Sequence, residues 1–400
     1  VQLVSPAFAD AVKQSHTALC EIDVLDPIGG IRTPSLPVID GTFTASLTDA
    51  VHRSAQLVLP DDETVSYIPQ SIQDPLSPYT ARIQASLGIQ LSTGPEMVKE
   101  AQYQLATFGA KEASGGSSAG RTLTLGLMDV SSRCQLPLPS AVALQGGSLL
   151  TQAIPQLLLA RVKTLSFRLP ETLFTVPPLL IQIAGDAWAQ ATKLANMGGF
   201  ELLITRDGSC AMVPRIGGAA RDPVWSFIEG VNADFWNIDR QISSDAYPNV
   251  VVVIGTNSAA PGITGTAADM DPSSPTYRYG PYGENVKTIQ SALIVNIDQA
   301  TIAAQGILAR LLGAAETMTF DAIPNAALDI GDTVLITRPS MGLNKRRMLV
   351  SKTVRPVKTN VPMTVTVVRS VFTNEQEALA DVSDLPGIMP PTLAGKAALS

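Results

Sequence analysis

The 400-residue chain contains only two histidines, His16 and His52. A serine triad needs an imidazole beside its nucleophile. His52 falls at a polar-facing position of an alternating run and reads as a surface or interface histidine. No GxSxG, HExxH, GxxxxGK[ST] or calcium-loop spacing occurs. The acid pairs Asp61 with Asp62 and Asp269 with Asp271 lie in loop-like sequence. Catalytic carboxylates need one member raised in a pocket, and Asp269-Met270-Asp271 lacks the fixed ligand spacing of a calcium loop. The three cysteines, Cys20, Cys134 and Cys210, are scattered without a CxxC, against a disulfide framework or zinc site. Cys20 reads as a small core residue within a strand. Glycine-rich residues 115–120 neither follow a parallel strand nor open a helix, so they read as a flexible hairpin loop rather than a phosphate cradle. Trp188, Trp225 and Trp236 do not line up with basic residues, so they read as core or interface anchors. No catalytic residue, cofactor or metal site is predicted.

The charge pattern points to contact instead. The formal net charge is -7, which excludes general nucleic-acid binding by charge. Yet Arg338, Lys345, Arg346, Arg347, Lys352, Arg355, Lys358 and Arg369 fall in a stretch, Thr333 to Asn374, without a single Asp or Glu. The first seven form a candidate interface patch for an acidic neighbour. The ordinary alternative is a solvated face with a basic hairpin tip.

Which elements carry these residues follows from periodicity. Apolar residues make up 45% of the chain and charged ones 16%, enough for several cores. Residues 42–59 alternate over the longest run, with Asp49 and Arg53 breaking the apolar face, which predicts two strands or one strong bend. Strands are expected at 20–24, 82–90, 102–108 and 122–127, giving an antiparallel barrel over 1–135. Leu136-Pro137-Leu138-Pro139 marks a boundary. Beyond it, residues 148–163 read as a helix that Pro155 must kink or begin. Residues 186–197 form a second helix, capped by Asp186 and stopped by Gly198-Gly199. Arg206-Asp207-Gly208-Ser209 is a hairpin turn, completing a small α+β part over 136–213. Strands follow at 238–243 and 250–254, then an ordered loop at 259–282. A helix over 298–312 takes Asp298 as cap and Gly313 as stop. Residues 333–337, 348–351 and 363–367 make a meander closing a second barrel, 214–245 with 320–372, around an inserted α/β part, 246–319. Residues 373–400 are proline-rich and read as a tail that orders on a partner. No run reaches the ~20 apolar residues of a membrane helix, and Val1–Gln14 lacks the basic start and long apolar core expected of a signal peptide.

Several stretches together resemble the tail-hub proteins of long-tailed bacteriophages, in the version found in phages of actinobacteria. They are Ser15-His16; Pro37-Val38-Ile39-Asp40-Gly41 leading into residues 42–59; Leu57-Val58-Leu59-Pro60-Asp61; residues 265–269 with Ser274-Pro275-Thr276 and Gly280-Pro281-Tyr282-Gly283; and residues 328–334. The resemblance implies a mainly β fold with α+β parts: two similar small β-barrel domains plus two smaller α/β domains. It further implies a homotrimer whose ring of six barrels closes the tail tube and adapts sixfold to threefold symmetry. The implied partners are the distal tail protein or tube ring, the tape measure protein, and other minor tail or receptor-binding proteins. DNA would pass through without specific binding. The implied place is the virion tail tip, after synthesis in the host cytoplasm, and no enzymatic activity is expected. A tail-associated cell-wall hydrolase or a carbohydrate-binding adhesin are the alternatives. The second is disfavoured by an aromatic content of 5%.

Overall fold

The structure is a computed structural model. It describes residues 4–14, 16–26, 30–61, 67–112, 121–214, 222–230, 234–242, 248–256, 262–314 and 316–369. The loop at 115–120, Asp62 and the tail at 373–400 lie outside these residues.

The first part contains α1 (Pro6–Ala11), β1 (Ala18–Leu25), β2 (Ile31–Pro37), β3 (Asp40–Ser46), β4 (Arg53–Pro60), β5 (Arg82–Leu91), β6 (Gly94–Lys111) and β7 (Thr122–Met128). The long alternating run thus splits into β3 and β4, with Asp49 in the turn between them. These strands pair antiparallel in the order β3-β4-β7-β6-β5-β1-β2. Alternation drives one face inward: Ala55, Leu57 and Leu59 of β4 meet Leu123, Leu125 and Leu127 of β7, with Phe43 and Ile83.

Next come α2 (Ser131–Cys134), β8 (Val142–Leu144), α3 (Leu150–Leu159), β9 (Phe167–Arg168), β10 (Leu179–Ile181), α4 (Ala187–Met197), β11 (Phe200–Ile204) and β12 (Cys210–Pro214). Asp186 caps α4 as its sequence position predicts, its Oδ1 accepting from the Ala189 amide at 2.9 Å. Pro155 sits inside α3 rather than at its start. The Asp207-Gly208 turn closes the β11–β12 hairpin, with the Thr205 amide donating to Ser209 O at 2.9 Å. Leu150, Ile154, Trp188 and Leu194 anchor a separate core.

The chain then forms β13 (Trp225–Ile228) and β14 (Phe235–Ile242), departs into β15 (Val250–Gly255), β16 (Thr264–Ala268), β17 (Val286–Ser291) and α5 (Ile297–Ala314), and returns as β18 (Glu316–Ala322), β19 (Thr333–Arg338), β20 (Leu343–Pro356) and β21 (Met363–Arg369). Three expectations are corrected here. The stretch read as a loop contains β16, which pairs with β15. The cap of α5 is Asn296, whose Oδ1 accepts from the Gln299 amide at 2.8 Å, and not Asp298. The helix also runs on through Gly313.

The returning strands repeat the first part. The order β3-β4-β7-β6-β5 recurs as β14-β18-β21-β20-β19, antiparallel throughout. Registers agree as well. Gln104 of β6 opposes Arg82 and Met128, as Leu349 of β20 opposes Thr333 and Val368. A register shift follows at the same place, between Leu105 and Thr107 and between Val350 and Lys352. The excursion β15–α5 occupies the position of the short β3–β4 turn.

The expectation of two closed barrels is corrected. Among the described residues the ladders leave both halves open. In the second, the gap between β13 and β14 is bridged by a side chain: Asp234 accepts from Trp225 Nε1 at 3.2 Å and from the Ile228 amide at 3.4 Å. The halves are also not separate. Residues Lys352 to Pro356 of β20 pair antiparallel with Ser46 to Thr42 of β3, which fuses the two halves into one 13-stranded sheet.

Candidate functional site

The seven basic positions do not share one surface. The β19–β20 hairpin brings Arg338, Lys345, Arg346 and Arg347 close together, since Leu335 opposes Arg347 and Ile336 opposes Arg346. Acids accompany them: Arg346 Nη2 lies 3.3 Å from Glu316 Oε2, and Arg338 Nε 3.6 Å from Glu229 Oε1. Arg338 also stacks over the Phe235 ring at 5.5 Å. Lys352 is half-buried within the β3 ladder. Lys358 stands apart and exposed, with Nζ 2.7 Å from Asp40 Oδ2. Arg355 is 1% exposed and belongs to the core, not to a surface.

Arg355 opens onto the arrangement that ties the molecule together. Its Nη1 donates to Glu100 Oε1 at 2.6 Å, its Nε to Asn325 O at 3.2 Å, and its Nη2 to Leu328 O. Arg206, from the β11–β12 turn, donates from Nη2 to the same Leu328 carbonyl at 2.6 Å and from Nη1 to Ala326 O at 2.7 Å and Lys99 O at 3.0 Å. Its Nε reaches Asp329 Oδ2 at 2.9 Å. Arg53, at the start of β4, places Nη2 2.9 Å from both Asp329 oxygens and Nε 3.1 Å from Ile204 O. Three arginines and two acids, Glu100 and Asp329, therefore join the first half, the second part and the returning strands. Burial pushes the Asp329 carboxyl up, but Arg206, Arg53 and Arg355 outweigh it and hold it well below the usual carboxylate range. Asp129 sits beneath, accepting from the Arg53 amide at 2.7 Å, and burial pushes its pKa up.

The remaining reactive groups are structurally engaged. His52 is buried, a correction to its surface reading: its ring packs edge-on against Trp188 at 5.8 Å. Burial, then the nearby Arg53, lowers its pKa to about 4. Burial pushes the Cys20 and Cys134 thiols up to about 12, so neither is a thiolate at neutral pH. Asp61 is buried beside Arg121, 3.0 Å away. Asp269 accepts from Thr276 Oγ1 at 2.8 Å and from Ser274 Oγ, and Asp271 from the Ser273 amide at 2.8 Å. Both acids thus serve their own loop, and no cluster of three metal-ligating side chains occurs among the described residues. A cavity lined by Arg82, Tyr103, Val162 and Asp207 measures about 70 Å³. Ligand sites span roughly 300–1,000 Å³, so this one suits water, not a substrate. Among the described residues no helix is long and apolar enough to cross a membrane.

The sequence matches no family model and no curated protein. Solved structures do resemble it. One is the tail protein from Neisseria meningitidis MC58, with a TM-score of 0.62 and 13% identity over 88% of this chain and 98% of that one. Another is the 43 kDa tail protein of prophage MuSo2 from Shewanella oneidensis, at 0.56 and 13% over 90% and 99%. A third is a prophage tail protein from Listeria monocytogenes, at 0.52 and 11% over 91% and 98%. The chain has the fold of phage tail proteins.

Within this tail-protein fold, the ionic junction is what sequence reading missed. Arg53 had left a trace, a charge on the apolar face of an alternating run. Arg206 sits in a hairpin turn that accounts for it locally, and Asp329 falls in residues 328–334, which carry only the resemblance. Glu100 gave no signal, because the register shift between Ala85 and Ser86 hides which face it takes.

Proposed function

We propose that this chain is a structural hub protein at the tip of a long phage tail, acting as a homotrimer without catalytic activity. The observation that carries the reading is the five-strand order found twice, in matching register, in one chain with a tail-protein fold. Three such chains supply six like modules, which meet a sixfold distal tail protein or tube ring above and offer threefold symmetry below. The four cores support a division into 1–135, 136–213, 214–245 with 320–372, and 246–319, followed by the segment 373–400. The tape measure protein and other minor tail or receptor-binding proteins are the further partners. DNA passes without specific binding, in keeping with a net charge of -7. The actinobacterial-phage type rests on the sequence resemblance alone.

Light scattering of the purified chain and cryo-electron microscopy of intact tails test this reading. A threefold particle with six density modules at the tube end is expected. A persistent monomer, or release of sugars from host cell walls, refutes it.

A further inference from the structure

Among the described residues one ladder joins the two modules, and its strands have counterparts that carry no such ladder. In that junction β20 uses its last residues. Its first residues, Leu343 to Leu349, pair with β19, and Met348 to Val354 pair with β21 on the other side. The side vacated by β19 takes up β3, with Thr353 opposite Ala45 and Val354 opposite Thr44.

The first half repeats this arrangement without a partner. Residues Gly94 to Gln104 of β6 pair with β5, and Gln104 to Lys111 pair with β7 on the opposite side. The β5 side of β6 beyond Gln104 has no ladder among the described residues, and Ala106, Thr107, Gly109, Ala110 and Lys111 are exposed. The counterpart of β3 is β14, which among the described residues pairs with β18 alone and ends the sheet. Trp236, Asn237, Asp239, Gln241 and Ile242 are exposed along it. A third edge, β2, is blunted by Pro34 and Pro37, as protected edges are. No proline blocks residues 105–111 or β14.

The geometry points to pairing of β6 of one chain with β14 of a second copy, antiparallel and in the register of β20 with β3. This rests on the hub reading above and names the surface by which that ring closes. The matched registers fix the pairs. Lys352 corresponds to Thr107, and Ala45 and Thr44 correspond to Ile242 and Gln241 through their partners on β4 and β18. Phe108 then faces Ile242, Gly109 faces Gln241, Ala110 faces Arg240 and Lys111 faces Asp239 of the copy. The match is chemical as well as geometric. Ile242, 54% exposed in the single chain, is covered by a half-buried Phe108. Lys111 meets an aspartate, an opposite-charge cross-strand pair. Each copy offers two different edges, so the contact is heterologous and extends until it closes on itself.

Cysteine pairing in the full chain tests the register. Directly opposed antiparallel residues lie about 4.5–5.5 Å apart at Cα, within disulfide reach. Oxidation of Phe108→Cys/Ile242→Cys should give covalent dimers and trimers on a non-reducing gel, and neither single variant should. Independently, Lys111→Glu should raise the half-assembly concentration on the order of tenfold, and adding Asp239→Lys should restore it. A trimer seen by light scattering that shows neither the cross-link nor the charge-swap rescue overturns this strand pairing while leaving the hub reading intact. A chain that stays monomeric at every concentration and never cross-links overturns both.

Discussion

Replacing Asp329 by Asn tests the buried junction most directly. The shape is kept and one charge is lost. In the native chain both carboxylate oxygens lie 2.9 Å from Arg53 Nη2, and Oδ2 lies 2.9 Å from Arg206 Nε. The amide turns an NH2 toward a guanidinium, donor against donor. Arg355 and Arg206 keep Glu100, at 2.6 and 3.9 Å, while Arg53 loses the carboxylate its guanidinium is paired with. Removing one member of a buried pair costs about 3–5 kcal/mol, because the other charge stays desolvated. Native stabilities are about 5–15 kcal/mol, so the variant should unfold at markedly lower urea, read by tryptophan fluorescence. The acid limb gives a second readout. The folded pKa of Asp329 is depressed below its unfolded value. Its contribution is therefore fully present above the unfolded pKa and is lost as pH falls through the folded one. Wild type should lose its advantage over Asp329→Asn as pH drops below about 4. Asp129, raised by burial, acts with the opposite sign in both proteins and cancels in the difference. A penalty under about 1 kcal/mol, the worth of an exposed pair, or a pH-independent difference, would refute the idea that this cluster locks the parts together.

Three further outcomes are expected. His52→Phe keeps the ring against Trp188 but cannot protonate. Because the native pKa is lowered to about 4 from 6.5, wild type should lose up to about 3 kcal/mol as pH falls from 6.5 to 4; the variant should not, and the His52 ring signal should show no titration near pH 6.5. A Cβ on Gly265 would lie 2.2 Å from Ala300 C and 2.3 Å from Thr301 N, so Gly265→Ala should push α5 off β16 and cost about 1–3 kcal/mol in thermal unfolding. Joint reversal of Lys345, Arg346 and Arg347 to Glu should weaken assembly with other tail proteins in a salt-dependent way, measured by co-sedimentation; unchanged assembly removes the hairpin from the interface.

Local pattern made most strands legible. The alternations at 122–127 and 363–367 each became a half-buried strand, and that at 42–59 became two, because a period of two needs only one dry face; residues 82–90 form a strand buried on both faces. Helix ends were readable where a side chain acts on its own turn, as Asp186 does, and misread where two candidates compete, as with Asn296 and Asp298. What stayed hidden depends on distance in the chain. Lys352 opposes Ser46 and Arg355 holds Glu100, pairings over more than two hundred residues that no periodicity encodes. The same gap explains why Arg355 was grouped with surface cations. Its neighbours in sequence are basic, and only the fold supplies its acid.

The two devices at the module boundary serve different ends. The β20–β3 ladder gives direction and register, but sheets twist over a range of about 10–35° per strand pair, so a ladder alone leaves the angle between halves loosely set. The arginine cluster narrows it. Arg53 extends from β4 and Arg355 from β20, and Asp329 and Leu328 O accept from arginines of different parts at fixed, short distances. An apolar replacement could hold the halves together as tightly without fixing that angle. In the proposed ring an angular error at each intrachain junction recurs in every copy, and the last edge misses the first. Replacing Arg53, Arg206, Asp329, Glu100 and Arg355 together by apolar residues should therefore separate the two properties: near-native unfolding in urea, with open or heterogeneous assemblies by electron microscopy. Closed trimers from such a variant would assign the angle to the backbone ladder instead.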